Sequence, residues 1–145
     1  MEGKDSNGRE YHVLIADDEP EIRSLLRDWL NEEVRKQLPG TYVIYEAEDG
    51  QKAIEKVGEC KASGRHLGMA IIDLRMPGKN GFQTIDELLQ VSPETEVMVL
   101  SATTDLFIQR LRGYGAKVTP MAKPVSLKNF IETAATLLQR VNSYE

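Results

Sequence analysis

Five polar residues stand at or just after the ends of short apolar runs. Asp17 and Asp18 follow residues 12–16 (HVLIA), Asp73 follows 69–72 (MAII), Ser101 follows 96–100 (EVMVL), and Lys123 comes soon after 117–121 (KVTPM). Brought together, three carboxylates repel one another, and a hard divalent cation with oxygen ligands relieves that repulsion. Mg²⁺ suits so small an acidic set, because it keeps several waters and takes one or two carboxylates plus phosphate oxygens. A carboxylate attacking phosphorus needs positioning, and it needs charge on the equatorial oxygens neutralised. A Lys ammonium supplies a mobile positive charge and a hydroxyl supplies a hydrogen bond. The same groups would stabilise an acyl phosphate once formed.

Each residue alone has a plainer explanation. Asp17 and Asp18 can be an acidic cap on the helix that Pro20 begins. Asp73 can make an Asx turn into Met76-Pro77-Gly78. Ser101 can be a helix cap and Lys123 a solvated lysine. What the plain readings do not explain is the shared placement, each residue at the carboxyl end of a strand.

The elements that would position them alternate along the chain. Expected strands cover residues 12–16, 42–47, 69–72, 96–100 and 117–121. Between and after them lie helical faces: Ile22, Leu25, Leu26, Trp29, Leu30 and Val34; Ala53, Ile54 and Val57; Ile85, Leu88 and Leu89; Phe107, Ile108 and Leu111; then Leu127, Phe130, Ile131, Ala134, Leu138 and Val141. Pro39-Gly40 ends the first helix, and residues 61–68 (KASGRHLG) read as a polar loop. Five strand–helix units predict an α/β domain with a parallel sheet and helices on both faces. In such a sheet the ligand crevice lies outside the carboxyl ends of the strands, where the five residues fall.

Bulk properties narrow the classes. The chain has 145 residues, 41% hydrophobic and 28% charged, which suffices for one core. Net charge is −5 with no basic block, so nucleic-acid binding through this segment is not expected. No apolar run is long enough to cross a bilayer, and the polar start carries no signal-peptide core. The single cysteine, Cys60, cannot form an internal disulfide; it fits a reducing cytoplasm and a bystander thiol. His12 and His66 are expected to be solvated rather than ligands. Residues 1–10 form a loose leader and 11–142 the folded domain.

With its motifs in this order, the sequence resembles the receiver domain of two-component response regulators. The acidic pair stands as LIADDEP, the phosphoacceptor motif as IIDLRMPGKNG over residues 71–81, the hydroxyl-plus-small pair as Ser101-Ala102, and the last motif as Lys123-Pro124. The resemblance implies a doubly wound, flavodoxin-like (βα)5 fold with strand order 2-1-3-4-5. It implies that Asp73 is phosphorylated by a histidine kinase or phosphotransfer protein with Mg²⁺ (or Mn²⁺). Asp18 would bind the metal directly, Asp17 through water, and the Arg75 backbone carbonyl would be a further ligand. Ser101 and Lys123 would hold phosphoryl oxygens, Ala102 would leave room for the group, and the Lys123-Pro124 bond would be cis. The face made by the fourth helix, fifth strand and fifth helix would contact partners or a second copy. No effector domain is expected within these residues.

One alternative class is a phosphatase using an aspartyl phosphate, which pairs the nucleophile with a second Asp two residues on. Arg75 stands there, so the domain is not expected to turn over an external substrate. The other is a pseudo-receiver that docks partners without phosphorylation, a reading that ordinarily comes with loss of an acidic, hydroxyl or lysine residue. A departure from the family pattern is Pro120, where an aromatic or His switch residue is common. Proline cannot donate to the sheet, so the fifth strand should be an edge or irregular.

Overall fold

The computed structural model describes residues 8–76, 80–102 and 105–142. The remainder of the leader, the Pro77-Gly78 turn, and the side chains of Phe107, Ile108 and Val141 lie outside the described residues. Five strands form one sheet: β1 (Glu10–Ala16), β2 (Thr41–Ala47), β3 (Leu67–Asp73), β4 (Glu96–Ser101) and β5 (Val118–Ala122). All neighbours run parallel, in the order β2-β1-β3-β4-β5. This is the expected doubly wound order. Because β1, β3, β4 and β5 are consecutive, their carboxyl ends share one rim.

Side-chain alternation splits the core into two layers. Leu14, Ala16, Ala70, Ile72, Val97 and Val99 face one side, packed on α2 (Gly50–Ala62), α3 (Gly81–Val91) and α4 (Asp105–Arg112). Val13, Ile15, Met69, Ile71, Met98 and Leu100 face the other, packed on α1 (residues 20–37) and α5 (Leu127–Asn142). With both faces covered, the central strands become continuous apolar runs, which is why they were visible as such. β5 is one of the two edge strands, and Pro120 is exposed on it. A residue with no N–H is tolerated there because an edge strand has donors that no neighbour needs.

Three local expectations are corrected. The first helix, α1, is continuous but not uniform: α-helical Pro20–Trp29, a π-helical stretch Leu30–Val34, and a last turn Arg35–Gln37. The wider turn keeps Leu30 and Val34 both fully buried, while Leu25, expected on the buried stripe, is 41% exposed. The polar loop at residues 61–68 is shortened to 63–66: α2 runs through Ala62 and β3 begins at Leu67. A register shift between His12 and Val13 opposite Gly68 lets that strand start early, behind a glycine that hid it. His12 is not solvated. It is 7% exposed, with Nδ1 2.8 Å from the Tyr45 hydroxyl and Nε2 3.1 Å from Glu10. His66 is exposed and stands 3.2 Å from Glu94.

The start of α3 lies close against the end of β3. A Cβ built on Gly81 would lie 2.6 Å from the Leu74 Cα and 3.1 Å from the Asp73 carbonyl oxygen. Asn80 caps α3 reciprocally with Gln83, so the helix start cannot slide away without losing that box. Gly81→Ala is therefore expected to cost about 2 kcal/mol, read as a lower urea midpoint with unchanged slope.

Candidate functional site at the carboxyl rim of the sheet

The β1–α1 turn is held from several sides. The Asp17 N–H donates to the Ala47 carbonyl at 3.0 Å, extending the β1–β2 ladder by one residue. Its Oδ1 accepts the Glu19 N–H at 2.9 Å, and its carbonyl accepts Arg23 Nη1 at 2.7 Å. Its Oδ2 is buried with no hydrogen-bond partner. The capping explanation for the acidic pair does not hold, because the N-cap is Glu19, whose own side chain makes no cap bond. Asp18 projects next to it, exposed.

Asp73 ends β3 and is 2% exposed. Its Oδ1 accepts the Arg75 N–H at 2.9 Å, the Asx-type bond anticipated as a structural role, and its Oδ2 accepts Lys123 Nζ at 3.1 Å. Both descriptions hold, one per oxygen. Ser101 ends β4, buried, and its carbonyl accepts the Lys123 N–H at 2.9 Å. Ser101 is thus a strand residue, not a helix cap, and Lys123 is not a free lysine. The Lys123-Pro124 bond is cis. Asp18, Glu19, Asp73, Arg75, Ser101, Ala102 and Lys123 line one cleft.

A carboxylate oxygen from each of Asp17, Asp18 and Asp73 lies within 4.8 Å of the others. Burial pushes the Asp17 carboxyl up to about 6, the Asp73 charge adding to this while the Glu19 N–H and Lys123 oppose it. Elsewhere the fold neutralises its sheltered carboxylates. Glu96, 2% exposed, has Lys117 and Arg140 each at 3.3 Å, and Glu46 has Arg23 and Arg27. At the rim, among the described residues, the cluster has one ion pair, Lys123 with Asp73. An all-oxygen set with an orphaned buried oxygen fits a hard divalent cation better than it fits a soft metal.

Glu19 and Arg23 were not singled out from the sequence. Glu19 reads as an ordinary first-turn acid. Arg23 and Glu46 stand 23 residues apart in sequence yet share a hydrogen bond in space, and the available signal was the lone charge of Glu46 inside the β-forming run TYVIYEA.

A family model described as the response regulator receiver domain matches residues 13–135. The chain belongs to this family. It is 29% identical to the transcriptional regulatory protein AruR of Pseudomonas aeruginosa over 89% of this chain and 50% of that protein. It is 32% identical to MalR of Bacillus subtilis, a transcriptional regulatory protein, over 82% of this chain and 46% of that one. The chain thus spans about half the length of these curated relatives. A matching segment also occurs within enzymes, among them the protein-glutamate methylesterase/protein-glutamine glutaminase of Geobacillus kaustophilus, 31% identical over 64% of this chain and 24% of that protein. Among solved structures, a CheY-like receiver domain protein from Methanospirillum hungatei superposes with TM-score 0.76 at 17% identity, covering 94% of this chain and all of that one. The chemotaxis protein CheY4 of Vibrio cholerae gives 0.69 at 24%, covering 92% and 99%. At these identities the likeness is one of fold.

The Asp17 carboxyl titrates higher folded than unfolded, so its protonated form favours the fold. That contribution is complete below about pH 4 and is lost as pH rises through about 6. Asp17→Asn keeps an oxygen for the Glu19 N–H and turns an amide N–H toward the other carboxylates. In metal-free buffer its melting midpoint should exceed that of the wild type by a few degrees at pH 7, on the order of 1 kcal/mol or more, and the gap should close at pH 4.

Proposed function

We propose that Asp73 is the phosphoacceptor of this receiver domain, taking a phosphoryl group from the phosphohistidine of a histidine kinase or phosphotransfer protein. The observation that carries this is the pairing of a buried strand-end carboxylate with Lys123 inside a cluster of three carboxylates. The Asp73 carboxylate attacks phosphorus, the bond from phosphorus to the donor imidazole nitrogen breaks, and the imidazole leaves with its electron pair. Lys123 neutralises charge on a phosphoryl oxygen, the Ser101 hydroxyl donates to another, and Ala102 leaves space for the group to enter. Asp17, Asp18 and Asp73, with the Arg75 carbonyl, would hold Mg²⁺ or Mn²⁺, which supplies positive charge for the phosphoryl oxygens.

The held phosphate is a signal rather than a turnover intermediate. Arg75 occupies the position from which a second acid would protonate a leaving group, so self-catalysed acceptance and slow dephosphorylation are the only chemistry we assign. An apolar groove adjoins the cleft, lined by Ile22, Leu25, Leu26, Leu100, Pro124 and Val125 and sharing Glu19 and Lys123 with it. It suits the helix of the phosphodonor protein. Output is assigned to the face of α4, β5 and α5, through a partner or a second copy, in a cytoplasmic setting and without nucleic-acid contact by this domain. Among the described residues no helix is long and apolar enough to cross a membrane.

Acetyl phosphate with Mg²⁺ should add one phosphoryl group to the intact protein, seen by mass spectrometry. Asp73→Asn should abolish labelling, and Lys123→Ala should slow it roughly 100-fold. A wild type that takes no label would instead make this a docking module independent of phosphorylation.

A further inference from the structure

We infer that Arg23, oriented by Glu46, is a positioning residue that sets the Asp17–Asp18 turn for cation binding. The inference rests on the cation-site reading above. Of the polar groups of Asp17, the N–H is fixed by β2 and Oδ1 by the Glu19 N–H, both backbone partners. The carbonyl is held by a side chain, Arg23 Nη1 at 2.7 Å. That carbonyl belongs to the peptide bond leading into Asp18, so its direction governs where the Asp18 side chain leaves the backbone. With N–H, Oδ1 and carbonyl all held, the remaining oxygen, Oδ2, is fixed where no protein donor meets it.

The cleft is lined by other residues, and the Arg23 side chain is 16% exposed. Its guanidinium spends a second donor on Glu46, Nε to Oε1 at 3.1 Å, while Arg27 Nε meets Oε2 at 2.7 Å. Burial alone would raise the Glu46 carboxyl, but the hydrogen bonds from Arg27 and Arg23 outweigh it and hold the group below its ordinary value. Glu46 therefore stays ionised and fixes the plane of the fork. Since Glu46 and Ala47 are adjacent on β2, the strand that binds the Asp17 N–H also aims the arginine that binds its carbonyl. Partners of this kind, one step behind a metal ligand, are worth about 10–100-fold in metal affinity.

The test is calorimetric titration of the metal-free protein with Mg²⁺, alongside thermal melts. Wild type, Arg23→Ala, Glu46→Gln and the double variant are compared. Arg23→Ala should bind Mg²⁺ about tenfold more weakly while remaining folded at the titration temperature. Glu46→Gln should weaken binding less, and it should add nothing once Arg23 is gone. Should Arg23→Ala not fold, Arg23→Lys answers the same question, because lysine keeps the charge without the fork and should also lose affinity. A folded Arg23 variant that binds as tightly as wild type overturns the inference and leaves the cation site standing. Additive losses in the double variant overturn the role of Glu46. A wild type that takes up no Mg²⁺ overturns the cation-site reading and this inference with it.

Discussion

The mutual repulsion of Asp17, Asp18 and Asp73 is the constraint on which the rest of the molecule depends. Three carboxylates within 4.8 Å, two of them buried, raise the energy of the metal-free fold. The fold could have cancelled that charge, as it does at Glu96 and Glu46, by placing two cations against each carboxylate. Among the described residues, it pairs one cation with the cluster, Lys123 on Asp73. Such a deficit persists only where the surrounding packing is strong enough to carry it. Here that packing is the fully buried Val13–Ile15 run of β1 and the Ala70–Ile72 run of β3, clamped between two helical layers.

The same packing explains why the cluster holds its shape. Asp73 ends β3 and Asp17 directly follows β1, both inner strands, and the Asp17 N–H is held by the Ala47 carbonyl of β2. The Leu74 N–H bonds to the Leu100 carbonyl and the Lys123 N–H to the Ser101 carbonyl, stitching the rim between β3, β4 and β5. Gly81 then lets α3 start against the Asp73–Leu74 backbone, a closeness no side chain permits. Rigid placement of this sort is what turns several weak groups into one site, because a carboxylate free to rotate away would relieve the repulsion without any cation.

Much of this was legible in the sequence. The buried strands show as apolar runs, and the residues at their ends meet in one cleft. What stayed hidden depended on contacts distant in sequence. His12 looks solvated until Tyr45, on the neighbouring strand, gives it a partner. Leu25 matches the apolar period, yet a π-helical stretch follows within the same helix and Leu25 faces the groove beside the cleft. Gly68 breaks the apolar pattern of β3 because a register shift, not a side chain, occupies that point. Arg23 and Glu46 belong to different elements, and nothing local links them.

Pro120 gains a clearer place from the edge position of β5. The residue has no side-chain rotamers to switch, but the strand that carries it leads directly to Lys123, whose ammonium bonds Asp73 and whose N–H bonds Ser101. Lys123 also borders the apolar groove along with Pro124 and Val125, the residues that lead into α5. On the proposed reading, a phosphoryl group on Asp73 competes for that ammonium, and any change in its partner acts on the β5–α5 connection. The edge strand has a neighbour on one side only, so it yields to such a pull more readily than β1 or β3 could. Coupling through the backbone next to Lys123 needs no aromatic switch, and that is the physical sense in which a proline at this position is compatible with a receiver that signals.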